Sequence, residues 1–273
     1  VTRLPRASTP EGQAGLDALL SRPQHALVGT DFDGTLAPIV PEPRDARALP
    51  GAVPALTRLA GAVGTLAVIT GRPASEAVAY GGFEAVPGLI VLGHYGWQRW
   101  QDGELAGAVS PPAVQAARQA LPGVLSQAGA PDGTWIEDKG HALAVHTRRT
   151  ADPESALRLL RGPLEDLAIQ LGLAAEPGRM VIELRPPGVD KGTALTDLVT
   201  ERAADSVLFC GDDLGDLPAF AAVRALRAEG ISGCAVASAS AESPQVAAAA
   251  DLVVDGPEGI VALLAALASE LGR

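Results

Sequence analysis

Apolar positions along this chain follow two different rhythms. Near both ends they come as short unbroken runs: Ala26-Leu27-Val28-Gly29, Thr65-Leu66-Ala67-Val68-Ile69, Leu89-Ile90-Val91-Leu92, then Val207-Leu208-Phe209-Cys210, Cys234-Ala235-Val236-Ala237 and Leu252-Val253-Val254. A run with no polar alternation predicts a strand buried on both faces. Helical spacing fills the gaps. It predicts helices from about Val53 to Ala60, after Pro73 (whose ring suits the first helical position), through Ala247 to Ala250, and from about Pro257 to Leu271. Strands and helices in this alternation predict a doubly wound parallel sheet.

The middle of the chain has the other rhythm. Ser110 with Pro111 opens a predicted helix to about Gln127, and Asp152 with Pro153 opens another ending near Gly172. Between and after them, Trp135 to Lys139, Ala142 to Arg148 and Arg179 to Arg185 alternate apolar and polar residues, as half-buried antiparallel strands do. In the last of these, Met180, Ile182 and Leu184 are expected on one face, and Arg179, Glu183 and Arg185 on the other. The expected organisation is a core of residues 1–104 and 187–273, with a smaller α/β layer of residues 105–186 inserted into it.

Composition narrows the function classes. The chain has 273 residues, 47% of them hydrophobic, which is ample for a packed core. No apolar run approaches the roughly 20 residues that span a membrane, and Val1 to Pro10 shows no apolar stretch of the kind a signal peptide carries. Cys210 and Cys234 sit in predicted buried strands without metal-ligand spacing. They read as small hydrophobes in a reducing, cytoplasmic setting. A formal net charge of −11 argues against non-specific nucleic-acid binding. Nothing marks a partner protein, and a monomer is expected. Arginine supplies nearly all the positive charge; the only lysines are Lys139 and Lys191. In so Arg-biased a chain, these two mark places where a compact ammonium is needed rather than a planar fork.

Four polar segments are expected at the C-terminal ends of core strands, where open parallel sheets bind ligands. Asp31-Phe32-Asp33-Gly34-Thr35 follows the first strand. Two carboxylates so close repel unless a cation lies between them, and Mg²⁺ suits such a site because it takes few protein oxygens. One carboxylate could then attack phosphorus while the other exchanges protons with leaving group and water. Gly34 would let backbone approach a phosphate. Taken alone, the segment describes a polar turn equally well. Thr70-Gly71-Arg72-Pro73 offers hydroxyl, N–H and helix N-terminus to an anion; alone, it is a helix cap. Asp190-Lys191-Gly192 places a Lys in a first helical turn, against the helix dipole, as if aimed at an anion. Gly211-Asp212-Asp213-Leu214-Gly215-Asp216 gathers three carboxylates, an acidic turn or a second source of metal ligands.

Together and in this order, the four segments resemble the motifs of the haloacid dehalogenase superfamily of aspartate phosphatases, and the insertion resembles its cap domain. The chain from about Leu27 is more closely similar to the trehalose-6-phosphate phosphatase family within it. The likeness is carried by Asp31 to Ile39, Thr70-Gly71-Arg72, Glu137-Asp138-Lys139-Gly140 with His146-Thr147-Arg148, and Gly178 to Pro186 with Asp190-Lys191-Gly192. The resemblance implies Asp31 as nucleophile and Asp33 as general acid/base, with Thr70 and Lys191 holding phosphate. It implies Mg²⁺ on Asp31, Asp33 (through its carbonyl) and Asp212, with Asp213 and Asp216 in support. It assigns Thr35, Gly71, Arg72, Glu137, Lys139, Arg148, Arg179 and Glu183 to the substrate, a small sugar phosphate. The chain departs from the family at Gly215-Asp216-Leu217-Pro218, where a further acidic residue is usual, and at Gly93-His94-Tyr95-Gly96, where the His is shifted. The same mechanism on another sugar phosphate is the nearest alternative, and a non-catalytic sugar-phosphate sensor the next. No G-x-x-x-x-G-K-[ST] loop supports an ATP-using transferase.

Overall fold

A computed structural model describes residues 4–107, 110–239 and 244–272; the first three residues of the N-terminal segment lie outside the described residues. The chain divides into two compact units, Val1–Ala106 with Asp190–Arg273, and Gly107–Val189.

In chain order, the elements are α1 (Pro10–Ser21), β1 (Ala26–Thr30), α2 (Ala52–Ala60), β2 (Thr65–Ile69), α3 (Ala74–Gly81), β3 (Ile90–Gly93), β4 (Gln98–Gln101) and β5 (Glu104–Gly107). The inserted unit follows with α4 (Pro112–Gln127), β6 (Trp135–Asp138), β7 (Leu143–His146), α5 (Pro153–Leu171), β8 (Ala174–Gly178) and β9 (Val181–Arg185). The chain then returns with α6 (Lys191–Arg202), β10 (Ser206–Gly211), α7 (Leu217–Ala228), β11 (Ser232–Ser238), α8 (Pro244–Ala249), β12 (Leu252–Val254) and α9 (Gly256–Leu271).

The larger unit is built on one sheet of order β12-β11-β10-β1-β2-β3-β4-β5. The strands from β12 to β3 are parallel, and β4 runs antiparallel to β3. Winding leaves β1 in both directions, toward β2 on one side and β10 on the other. The crevice beyond the ends of β1 and β10 is therefore the topological switch point, where such sheets bind ligands. Both faces are covered along β1, β2, β3, β10 and β11, which is why these strands read as continuous apolar runs. Ala26 and Val28 pack with Leu16, Leu19, Leu56, Leu59 and Leu264 on one face. Leu27 packs with Leu195, Leu198, Phe209 and Phe220 on the other. At about 25 cal/mol per Å² of apolar area removed from water, these layers dominate the stability of the unit.

The smaller unit is a sheet of order β6-β7-β9-β8, antiparallel throughout. Leu143, Val145, Ile182 and Leu184 meet Val114, Leu121, Leu160 and Leu164 of α4 and α5. One face is thus a core and the other carries polar residues, as the alternation predicts.

Four local expectations change. β12, at the edge of its sheet, is not buried on both faces, and Val253 is exposed. Pro73 is the cap residue before α3, with extended ψ of 137°, rather than its first helical residue. Pro111 takes the same place before α4, so Ser110 lies outside the helix. Met180 is not in a strand. β8 pairs with β9 through Gly178 and Val181, so Arg179 and Met180 form the tight connection, and Met180 takes φ of +61°. Its side chain does not continue the Ile182 and Leu184 row.

Candidate active site

Asp31 is the first residue after β1, and its N–H still donates to the Cys210 carbonyl of β10 at 2.8 Å. That bond fixes the backbone from which the Asp31 carboxylate projects. The chain then folds into a compact turn, in which the N–H groups of Leu36 and Ala37 both donate to the Phe32 carbonyl. Gly34 sits in the left-handed region at φ +70°, and a Cβ there would lie 2.0 Å from Asp212 Oδ2. The turn therefore closes against the Asp212 carboxylate only because residue 34 has no side chain. The Ser238 hydroxyl, at the end of β11, donates to the Gly34 carbonyl at 2.7 Å. Nothing in the sequence around Ser238 signals this tie.

Lys191 opens α6, whose cap Asp190 accepts the Thr193 N–H at 2.8 Å. The segment follows β9 of the inserted unit through a loop, not a core strand, which corrects the expectation of four strand ends; its position comes from the helix start instead. Only 4% of the Lys191 side chain is exposed. Its ammonium lies 2.9 Å from Asp31 Oδ1 and 2.7 Å from Asp216 Oδ1. The second oxygen of Asp216 accepts the N–H groups of Asp212 and Asp213 at 2.9 and 3.2 Å. Asp216 thus ties the loop after β10 to Lys191, a larger part than the supporting one its sequence position suggests. The D-D-x-x-D spacing was the available signal, because it closes a capping box around Asp213.

Asp31, Asp212 and Asp216 are all buried, and their carboxylate oxygens lie within 4.8 Å of one another. Three carboxylates face one ammonium, an excess of two negative charges among buried side chains. Burial, then Asp216 and Asp213, push the Asp212 carboxyl up to about 7. Burial likewise raises Asp31 well above its usual range, although Lys191 opposes it. Burial alone would lower Lys191, but Asp216 and Asp31 outweigh it and hold the ammonium well above the ordinary lysine value. A cluster that keeps protons so strongly is one a divalent cation would relieve, and its all-oxygen donor set fits a hard ion.

The other expected residues fall around this group. The Thr35 hydroxyl donates to Asp212 Oδ1 at 3.2 Å. Thr70 follows β2 and is buried; its Oγ1 accepts the Arg72 N–H at 3.2 Å. Gly71 lies under the Tyr95 ring, whose hydroxyl would be 2.8 Å from any Cβ there. Arg72 does not point at the buried group. It donates from Nε and Nη2 to the two oxygens of Asp33, at 2.6 and 2.7 Å. The side chains of Asp33 and Asp213 lie outside the buried trio: Asp33 is engaged by Arg72, and exposed Asp213 accepts the Gly215 N–H at 2.8 Å.

The inserted unit splits its expected residues into two sets. Glu137 and Glu183 stand opposite Ala144 on the face away from the helices. The Lys139 ammonium pairs with Glu183 beside them. Glu137 pairs with His146 Nε2 at 2.8 Å, and His146 stacks on Trp135 with ring centroids 4.3 Å apart. Arg148 and Arg179 lie instead beyond the other end of the paired strands, past His146 and Val181. There they line a recess of about 410 Å³ with Pro153 and Met180. In the sequence, His146 stands out only within the family likeness and Trp135 only as the start of a strand; neither is expected at the site, since an aromatic on an alternating strand usually signals core.

Among the described residues, no helix is long and apolar enough to cross a membrane. A family model described as trehalose-phosphatase matches residues 29–258. The chain is 34% identical over 233 residues to the trehalose-phosphate phosphatase of Mycobacterium avium (strain 104), covering 80% of this chain and 56% of that protein. It is 32% identical over 253 residues to the trehalose-phosphate phosphatase of Mycobacterium marinum, covering 88% and 61%. The chain thus spans well under two thirds of the length of these curated relatives. Aspergillus fumigatus trehalose-6-phosphate phosphatase, crystal form 3, matches with a TM-score of 0.73 at 25% identity, over 97% of this chain and 99% of that one.

Proposed function

We propose that this chain, which belongs to the trehalose-phosphatase family, hydrolyses trehalose 6-phosphate to trehalose and inorganic phosphate through a covalent intermediate on Asp31. The observation that carries the proposal is the buried group of Asp31, Lys191, Asp212 and Asp216 at the switch point of the sheet.

An Asp31 oxygen attacks phosphorus as the bond from phosphorus to the sugar oxygen breaks. Asp33 gives its proton to that leaving oxygen. Water then attacks the aspartyl-phosphate, Asp33 takes the water's proton, and Asp31 returns as carboxylate while phosphate leaves. Lys191 and the Thr70 hydroxyl donate to the phosphate oxygens, and Lys191 also fixes the attacking carboxylate. Mg²⁺ is the ion we assign, held by the carboxylates of Asp31 and Asp212 and the main-chain carbonyl of Asp33, with buried Asp216 favoured over exposed Asp213 in support. When bound, it would neutralise charge between two anions that must approach each other. Glu137, Lys139 and Glu183 read sugar hydroxyls, the carboxylates accepting and the ammonium donating. Arg148 and Arg179, set apart from them, are proposed as a second polar contact for the same substrate. The chemistry suits the cytoplasm, in keeping with two buried cysteines present as free thiols.

Phosphate release from a panel holding trehalose 6-phosphate, sucrose 6-phosphate and a glucosyl phosphoglycerate tests the substrate, with Mg²⁺ and with chelator. The expected result is highest kcat/KM on trehalose 6-phosphate, lost in chelator. A higher kcat/KM on another member would keep the mechanism and replace the substrate; activity unchanged by chelator would remove the metal.

A further inference from the structure

Arg72 sits in the motif that would be expected to grip the phosphate, yet its donors are turned elsewhere. Nε and Nη2 each donate to a different oxygen of Asp33, at 2.6 and 2.7 Å, the two-pronged geometry in which a guanidinium matches a carboxylate. The two partners are unequally buried. The Arg72 side chain is 12% exposed and the Asp33 side chain 38%. The guanidinium therefore lies behind the carboxylate, and the carboxylate faces out.

Everything behind Arg72 is fixed. Its guanidinium carbon lies 5.6 Å from the centre of the Phe32 ring and 5.4 Å from that of Tyr80. Phe32 is fully buried and stands edge-on to Phe83. The Arg72 N–H donates to Thr70 Oγ1, and its carbonyl accepts the His94 N–H at 2.8 Å. The Tyr95 N–H donates to the Thr70 carbonyl at 2.9 Å. His94 and Tyr95, which make these bonds, are held at φ of +51° and +59°, a region non-glycine residues enter only when their surroundings impose it. The loop carrying Arg72 is thus tied to the end of β3 at two points, and the fork is presented to Asp33 from a rigid frame.

Resting on the reading that Asp33 exchanges the leaving-group proton, we propose that Arg72 is the positioning residue for Asp33, rather than a phosphate ligand. A carboxylate offers about four lone-pair sites. The fork uses one on each oxygen, on the buried side. An outward site carries the proton that passes to the sugar oxygen and, once vacated, accepts one from water. Arg72 then fixes the direction of proton transfer, where small displacements are costly, and a lysine could not take its place, because an ammonium has no fork to set the carboxylate plane.

Leaving-group dependence separates the two roles. A sugar alkoxide needs a proton as it departs; p-nitrophenolate does not. The quantity to compare is kcat/KM, which reports steps up to departure of the leaving group, for wild type, Arg72→Gln, Arg72→Lys and Asp33→Asn. The substrates are p-nitrophenyl phosphate and the sugar phosphate that wild type hydrolyses best. Both Arg72 variants are expected to lose roughly 100-fold on the sugar phosphate, within the range of general acid catalysis, while keeping most of their activity on p-nitrophenyl phosphate. That retained activity also shows that the variants fold. Asp33→Asn should show the same selectivity. Equal losses on both substrates, with weaker inhibition by inorganic phosphate and near-normal behaviour of Arg72→Lys, would overturn the proposal in favour of a phosphate ligand. Full activity of Arg72→Gln on both substrates would overturn it too. If Asp33→Asn itself shows no selectivity in an enzyme active on both substrates, the fault lies with the role of Asp33, and the role of Arg72 falls with it.

Discussion

Replacing Asp212 by Asn removes one negative charge from the buried group and keeps the shape of the side chain. The consequence should depend on whether a divalent ion is present. In the unfolded chain the carboxyl titrates near its ordinary value of 3.8; in the folded chain burial and its acidic neighbours push it up to about 7. Because the folded value is the higher one, folding takes up a proton between the two. The stability linked to Asp212 is complete below pH 3.8 and is lost as pH rises through about 7. At about 1.4 kcal/mol per pH unit, ionising Asp212 in the folded protein costs roughly 4 kcal/mol. In chelator at about pH 8, Asp212→Asn should therefore be more stable than wild type, by roughly 2–4 kcal/mol once the new amide donors find partners. Near pH 5 the gap should narrow by more than half, since folded wild type then keeps its proton, and it should close only below pH 3.8, where the unfolded chain keeps its proton too. A divalent ion at about 100 times its dissociation constant should stabilise wild type by about 2.7 kcal/mol and leave the variant nearly unchanged. Urea unfolding followed by circular dichroism, at both pH values, with chelator and with Mg²⁺, measures all four quantities. A variant less stable than wild type in chelator at the higher pH would refute the charge excess. An undiminished Mg²⁺ effect in the variant would refute the metal site.

The backbone beside Asp212 offers a steric test. Gly34→Ala would adopt φ of +70° with its Cβ 2.0 Å from Asp212 Oδ2; the left-handed conformation alone costs about 1–2 kcal/mol. Both phosphatase activity and the Mg²⁺-dependent thermal shift should disappear. Asp251 anchors a distant part of the same unit, accepting from Thr9, the Ala235 N–H and Arg227. Asp251→Ala should lower stability by about 3–5 kcal/mol, because it strands a part-buried guanidinium. Burial works against the Asp251 charge, but those hydrogen bonds hold its carboxyl below the usual range. Its contribution is present above pH 3.8 and lost as pH falls through the depressed value, so melts taken into acid should show wild type and variant converging. In the inserted unit, Lys139→Ala and Glu183→Gln should each lower kcat/KM on the sugar phosphate by about 10- to 100-fold, the worth of a charged hydrogen bond. Neither should change hydrolysis of p-nitrophenyl phosphate; loss on both substrates would mean that this face does not read sugar.

The parts of the fold that the sequence reveals are those where one physical constraint acts alone. β1, β2 and β10 are covered on both faces, so their apolar runs have no second interpretation. Asp152 before Pro153 marks the start of α5 because a side-chain cap is a local event; its carboxylate accepts the Ser155 N–H. The edges are harder. β4 is Gln-Arg-Trp-Gln, with only Trp100 buried, and β5 is exposed throughout. β4 exists because β3 offers it a ladder and β5 because β4 does, which composition does not encode. β8 ends in Glu176-Pro177-Gly178, residues that usually argue against a strand and are tolerated on an edge. α1, rich in Gly and Ala, gave no strong periodic signal, yet it buries Leu16 and Leu19.

The site shows the same division. Asp31, Lys191 and Asp212 could be chosen from their motifs, and Lys191 also from the scarcity of lysine. What the motifs could not supply was the pairing. Asp216 bonds to a lysine 25 residues away, and Arg72 turns to a carboxylate 39 residues away rather than inward. Those choices depend on which strands become neighbours and on which side of each loop is buried. The division of the inserted unit's residues into a Lys139–Glu183 set and an Arg148–Arg179 set depends on register, and on the tight connection that removes Met180 from its strand.

The claim that Asp31 attacks phosphorus is tested most directly by looking for phosphate on it. Protein quenched in acid during turnover of the preferred sugar phosphate should be digested and examined by mass spectrometry, with hydroxylamine used to release acyl phosphates. A phosphoryl group is expected on the peptide containing Asp31, sensitive to hydroxylamine and absent from Asp31→Asn, which should also be inactive. Turnover by Asp31→Asn at the wild-type rate, or a phosphoryl group on another residue, would contradict the claim.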